Sequence, residues 1–285
     1  MTKDHMFTRR RLLMAGAAVV ATSGAAGAAA LLGGETAPGG AGPSPVPGGT
    51  PAAGSPTRGG VKPSAYRLQP LTGYGPPRAR VRTLVRREPF LRVAGMGRAM
   101  VLTFDDGPDP RYTPEILRTL REYDVHAMFF VCGSMAADHK DLLRQMADDG
   151  HVVGNHTWSH PLLTKMSYSA IHAQMERTSE VIEEAYGEAP RWFRAPYGAW
   201  NRAVFHIGAD LGMEPLGWTL DTLDWRSPGT RTIVERIERQ ADPGVVVLSH
   251  DAGGNRSQSV RALRDYLPGL LDAGYQITVP RRRMV

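Results

Sequence analysis

The stretch Ala99-Met100-Val101-Leu102-Thr103-Phe104-Asp105-Asp106-Gly107-Pro108 sets the reading of this chain. A short apolar run with strand formers, Ala99 to Phe104, stops at two adjacent carboxylates and a Gly-Pro turn. Thr113-Pro114-Glu115 then opens a helix, with Thr113 expected as its cap and Pro114 at the first helical position, where the missing N–H costs nothing. Ile116, Leu117, Leu120 and Tyr123 follow at helical spacing. The unit is strand, polar turn, helix.

The alternation continues downstream. Further strands are expected at Ala127 to Val131, His151 to Gly154, Trp192 to Arg194, Glu214 to Thr219, Val245 to Ser249 and Tyr275 to Val279. Helices are expected around Leu142, Leu143 and Met146, ending at Gly150, and along Ile171, Met175, Thr178 and Ile182, stopped by Gly187. Three more fall at Asn201 to Leu211, Thr230 to Gln240 and Gln258 to Ala273. About seven such units argue for parallel strands wrapped by helices. The expected fold is α/β, a distorted or incomplete (β/α)7-type barrel of parallel strands, with a doubly wound open sheet as the alternative.

Upstream the composition changes. Thr8-Arg9-Arg10-Arg11 precedes an Ala-rich apolar stretch ending near Leu32, so residues 1–32 read as a twin-arginine-type export signal. No cysteine follows to carry a lipid anchor. Residues 33–63 are Gly, Pro, Ala, Ser and Thr, a flexible linker that cannot bury enough apolar surface to offset its ordering entropy. Residues 64–97 form a basic arm with scattered aromatics, either packed on the domain or loose against a wall. The catalytic domain is expected over 98–285, acting as a monomer outside the cytoplasm or at the cell wall.

The 285 residues carry 34 Lys and Arg against 28 Asp and Glu, a formal net charge of +6. The excess lies in short runs: Arg9 to Arg11, the arginines between Arg78 and Arg98, and Arg281 to Arg283. No nucleic-acid-binding module accompanies them, so solvated arginines, or contact of the basic arm with an anionic cell-wall polymer, account for them and nucleic acid is not an expected partner. The single cysteine, Cys132, precludes an intrachain disulfide and sits in an apolar run, the setting of a buried inert thiol.

The unusual polar residues fall at the C-terminal ends of the expected strands, which in a parallel barrel share one face and carry the active site. They are Asp105 and Asp106 after the first strand, His156 and His160 after the third, Arg194 and Tyr197 after the fourth, Asp221 and Asp224 after the fifth, and His250 and Asp251 at the sixth. His156 and His160 are spaced i, i+4, so one helical turn would bring both imidazoles to one metal. Asp106 or its neighbour Asp105 would complete a two-His, one-carboxylate set that leaves positions open for water and substrate. Zinc suits it first, and cobalt, nickel or manganese could occupy the same donors. One aspartate would then bind the ion while the other takes a proton from water. His250, read as lying across the barrel from the aspartates, could protonate a leaving amine, with Asp224 or Asp221 to favour its protonated form.

Five segments stand in order: Thr103 to Pro108, His156 to His160, Arg194 to Gly198, Asp221 to Trp225 and Leu248 to His250. Together they resemble all five motifs of the NodB-homology polysaccharide deacetylases, carbohydrate esterase family four, over about Arg98 to Pro280. The resemblance implies a distorted barrel, one divalent metal ion and hydrolysis of N-acetyl groups on an acetylated glycan. By motif position it implies Asp105 as base, Asp106, His156 and His160 as metal ligands, and Arg194 holding Asp105. It further implies the Tyr197 backbone N–H as an oxyanion donor, His250 as acid tuned by Asp224, and Trp225 and Leu248 walling the acetyl pocket. A catalytically silent wall-binding module and an esterase or amidase on small substrates are the competing readings; both aspartates and all three histidines are present, which speaks against the first.

Overall fold

The computed structural model describes residues 81–95 and 97–280. The expected export signal, the linker and residues 64–80 of the basic arm lie outside the described residues, as do residues 281–285. Among the described residues no helix is long and apolar enough to cross a membrane. Strands and helices alternate: β1 Ala99–Asp105, α1 Thr113–Glu122, β2 Met128–Val131, α2 Gly133–Asp138, α3 Lys140–Asp148, β3 Val152–Asn155, α4 Tyr168–Tyr186 and β4 Trp192–Phe193. Then follow α5 Arg202–Asp210, β5 Glu214–Pro215, β6 Leu220–Asp221, α6 Thr230–Gln240, β7 Val246–His250, α7 Ser257–Asp272 and β8 Gln276–Ile277.

Every strand pairing in the sheet is parallel, in the order β5-β4-β3-β2-β1-β7-β6, with β8 beside the start of β1. The result is a half-barrel with helices, the incomplete barrel expected. Its open side explains one departure. Of the strand expected at Glu214 to Thr219 only Glu214–Pro215 forms, as β5, and the next short strand, β6, begins past it at Leu220 on the opposite edge of the sheet. Pro215 has no N–H to give a ladder. The carbonyls of Leu216 and Gly217 instead accept hydrogen bonds from Arg194, at 3.1 and 2.8 Å.

The last part of the basic arm packs against this opening. Phe90 N–H donates to Pro215 O, and Gly217 N–H donates to Phe90 O. Thr219 Oγ1 donates to Leu91 O at 2.7 Å, and Val93 N–H donates to Gly244 O at 3.0 Å. Arg86 pairs with the buried Glu214 at 3.0 Å. Residues 83–93 thus run alongside both edges of the sheet.

Strand alternation fixes which side chains reach the barrel interior, because successive residues point to opposite faces. On β1, Met100, Leu102 and Phe104 join the large core cluster with Ile116, Leu117 and Leu120 of α1. Val101 lies in the separate cluster with Met128, Phe130, Trp192 and Val246. Thr103 and Asp105 continue Val101's face, Leu248 and His250 continue that of Val246, and Arg194 continues that of Trp192. The sequence periodicity therefore delivers Asp105, His250 and the buried cation Arg194 to one interior.

Two local expectations change. Thr113 does not cap α1. Its hydroxyl instead accepts the Asp109 N–H at 2.8 Å and donates to Asp251 Oδ2 at 2.5 Å. The short helix α2 precedes the expected helix α3. By contrast Asn201 caps α5 by accepting from Val204 N–H, and Gly187 ends α4 in the left-handed region at φ 93°.

Candidate active site

Each polar residue singled out at a strand end lies at the same rim. Asp105 ends β1, and the chain turns sharply at Asp106, whose φ is 78°. Asp106 N–H donates to Phe130 O, Cys132 N–H donates to Gly107 O and Asp251 N–H donates to Asp105 O, so the ends of β2 and β7 hold the turn from either side. A Cβ at Gly107 would run into the Asp251 carboxylate, which explains the glycine.

His156 and His160 converge without the helical turn expected. Residues 156–162 are irregular, and Thr157 and His160 have φ of 70° and 56°. Asn155 Oδ1 accepts the Thr157 N–H at 2.8 Å, and Gln174 Oε1 accepts those of Trp158 and Ser159. Five of the seven non-glycine residues with positive φ among the described residues belong to the motif loops: Asp106, Thr157, His160, Tyr197 and Leu223. Such conformations cost about 1–3 kcal/mol each and persist where the surroundings over-determine them.

The donor atoms of Asp106, His156 and His160 all lie within 4.8 Å of one another. Asp106 Oδ1 sits 3.6 Å from His156 Nε2 and 3.4 Å from His160 Nε2, and it is buried with no hydrogen-bond partner. Burial pushes His156 down to about 3, against the pull of Asp106, so the ring is neutral. Its Nδ1–H donates to Arg194 O at 2.8 Å, which leaves the Nε2 lone pair facing Asp106. An orphaned carboxylate oxygen opposite imidazole lone pairs fits a divalent cation. Asp105 Oδ2 stands 3.7 Å from His156 Nε2, so the second aspartate borders the same space.

Asp105 Oδ1 accepts from Arg194 Nη1 at 2.7 Å, and the same nitrogen donates to Thr103 Oγ1. Burial raises the Asp105 carboxyl above its ordinary value, opposed by Arg194. Arg194 is fully buried beneath Phe130 and Trp218 and spends its other donors on Leu216 and Gly217.

His250 is not across the barrel from the aspartates. It lies on the adjacent strand, paired in register with Asp105. Asp224 Oδ1 accepts from His250 Nδ1 at 2.7 Å and Asp224 Oδ2 accepts the His250 backbone N–H at 2.9 Å. Burial disfavours the imidazolium, but Asp224 outweighs it and lifts His250 to about 9. Burial also pushes Asp224 up, and the bonds from His250 and Ser259 more than offset this. Asp221 is occupied otherwise, its Oδ1 accepting the Leu223 N–H, which decides between the two aspartates left open by the sequence.

Tyr197, at φ 61°, is exposed, with its ring edge-on to His160 at 4.6 Å. Leu248 is buried on β7, and Trp225 is partly exposed under Arg226. The remaining neighbours carried no role in the sequence. Asp251 is buried, and burial with the nearby Asp106 and Asp105 charges raises it to about 7 despite its Thr113 bond. Arg256 is buried and donates to Ala252, Gly253 and Asp224 carbonyls. An Asp directly after the motif histidine was visible; Arg256 and Ser259 lacked any signal short of the fold.

The polysaccharide deacetylase family model matches residues 93–216. A chitooligosaccharide deacetylase of Rhizobium leguminosarum bv. trifolii is 37% identical over 207 residues, 69% of this chain and 96% of that protein. The chain belongs to the polysaccharide deacetylase family. Among solved structures, the peptidoglycan N-acetylglucosamine deacetylase Bc1960 is 33% identical with a TM-score of 0.65, over 68% of this chain and 91% of the other. Wild-type BA3943 of Bacillus anthracis, a CE4-family pseudoenzyme, is 30% identical with a TM-score of 0.63, over 67% of this chain and 66% of the other. The similar proteins named as deacetylases make this chain a hydrolase that deacetylates polysaccharides, in a metal-dependent family, on the half-barrel described above. Among the described residues, Asp106, His156 and His160 form a group that could hold a metal ion.

Proposed function

We propose that this chain is an exported, zinc-dependent enzyme that removes N-acetyl groups from an N-acetylhexosamine glycan of the peptidoglycan or chitin-oligomer kind. The observation that carries it is the buried, unpartnered Asp106 Oδ1 facing His156 and His160. The substrate class is supported by similar proteins named for chitooligosaccharide and for peptidoglycan N-acetylglucosamine, which share an N-acetylated sugar. Zinc is proposed from the two-imidazole, one-carboxylate donor set, which cobalt, nickel or manganese also suits. When bound, the ion polarises the acetyl carbonyl and lowers the pKa of water.

The chain's own groups divide the proton transfers. Asp105, pinned through Oδ1 by Arg194, offers Oδ2 as the base that takes a proton from the attacking water. The Tyr197 backbone N–H donates to the developing oxyanion. His250 holds its Nδ1–H on Asp224, so its Nε2–H is the proton handed to the departing nitrogen. Leu248 and Trp225 wall the space for the acetyl methyl. The Thr8-Arg9-Arg10-Arg11 pattern supports twin-arginine export to the cell exterior, where the basic arm could meet an anionic wall polymer. Acetate release from N-acetylated glycan oligomers, assayed with chelator and then with added zinc, tests the reading. Release that survives complete metal removal would refute it.

A further inference from the structure

Asp224 is 1% exposed and its carboxylate has three donors. Two come from His250, the ring Nδ1 on Oδ1 and the backbone N–H on Oδ2. The third is the hydroxyl of Ser259, at 2.6 Å from Oδ2. Ser259 is itself buried and lies in the first turn of α7. One turn back, Arg256 donates to the Asp224 carbonyl at 3.2 Å and to the carbonyls of Ala252 and Gly253. The start of α7 therefore grips both the side chain and the backbone of Asp224.

A carboxylate held by one residue alone can rotate about its terminal torsion, which is broad and two-fold. With Oδ2 held both by the His250 backbone N–H and, from a separate element, by the shorter bond of Ser259, the plane is set and Oδ1 is aimed at the imidazole. The imidazole in turn has its direction set by that one bond. We infer that Ser259 is a positioning residue for the reaction, fixing through Asp224 the direction in which His250 presents its Nε2–H. The inference rests on the reading of His250 as proton donor.

The test uses two substrates on the purified full chain. An N-acetylated chitooligosaccharide has an amine leaving group that must be protonated, whereas an aryl acetate has one that needs little protonation. Ser259→Ala should lower kcat on the oligosaccharide about tenfold, the worth of one charge-assisted hydrogen bond, and lower it markedly less on the ester. KM should change little on either. The ester rate on the same preparation reports that the variant is folded and metal-loaded. In a His250→Ala background, Ser259→Ala should add no further loss on the oligosaccharide, and Ser259→Thr should restore part of the single-variant loss. Equal losses on both substrates, no loss on the oligosaccharide, or a full additional loss without His250 would each overturn the role of Ser259. His250→Ala alone separates the two ideas: an equal loss on both substrates there overturns the donor reading itself. A selective loss there, with none in Ser259→Ala, overturns only the positioning role.

Discussion

Asp105 and His250 are register partners on adjacent parallel strands, and each leans on a different anchor, Arg194 for the first and Asp224 for the second. Burial raises the Asp105 carboxyl above its ordinary value against the pull of Arg194, and Asp224 lifts His250 to about 9, so the imidazole holds its proton at neutral pH. On the proposed reading Asp105 accepts a proton and His250 gives one.

If His250 is the acid, its removal should be felt by the leaving group. His250→Ala should retain bound metal and lose kcat by about 10²–10⁴-fold on an N-acetyl sugar, with a smaller loss on an aryl acetate. Metal analysis and rates on both substrates check this. An equal loss on the two substrates contradicts it.

The same residue sets an alkaline limit. His250, lifted to about 9, is protonated at neutral pH, so kcat on an amide substrate should fall as pH rises through about 9. His250→Ala should lack that limb. Stability follows the same sign. The folded value lies above the unfolded value of about 6.5, so the contribution is fully present below that pH and is lost as pH rises through about 9. Its size is on the order of 3 kcal/mol. Thermal melts across this window should show the decline in the wild type and not in the variant.

Gly253 lies at φ 73°, and a Cβ there would come within 2.5 Å of Asp106 Oδ2. Gly253→Ala should therefore displace a metal ligand as well as strain the backbone. Destabilisation of about 1–2 kcal/mol should accompany weaker zinc binding, measured by melting temperature and competition titration. Unchanged zinc affinity would show that the loop does not set the position of Asp106.

The sequence made the fold class and the rim legible because parallel strands buried on both faces read as apolar runs, and because polar residues interrupt those runs only at their ends. Val101, Thr103 and Asp105 share a face by simple alternation. What was not legible depends on contacts between distant segments. The early end of the strand expected at Glu214 to Thr219 goes with Arg194 taking the Leu216 and Gly217 carbonyls as acceptors. The two histidines meet through left-handed residues held by Asn155 and Gln174, a route that i, i+4 spacing cannot distinguish from a helix. Thr113 serves Asp251, far along the chain, in place of its own helix.

Residues 83–93 complete the described domain. Arg86→Ala would leave the buried Glu214 without its cation, at a cost of about 1–3 kcal/mol. At this size that lowers the melting temperature by several degrees. A melting temperature unchanged by Arg86→Ala would show that the segment merely lies on the surface.

Export is tested apart from chemistry. Replacing Arg9 and Arg10 with lysine should keep the protein in the cytoplasm, read by fractionation. Undiminished secretion in a strain lacking the twin-arginine translocase would contradict that route.

The most direct test of the account is zinc content and acetate release measured on the same preparations of wild type, Asp105→Asn and Asp106→Asn. Wild type should bind zinc and release acetate from an N-acetylated glycan, fall silent on chelation and recover when zinc is added back. Asp105→Asn should keep its zinc and lose turnover by about 10²–10⁴-fold, whereas Asp106→Asn should lose the zinc itself. Full turnover by metal-free protein, or zinc retained in Asp106→Asn and lost in Asp105→Asn, would contradict it.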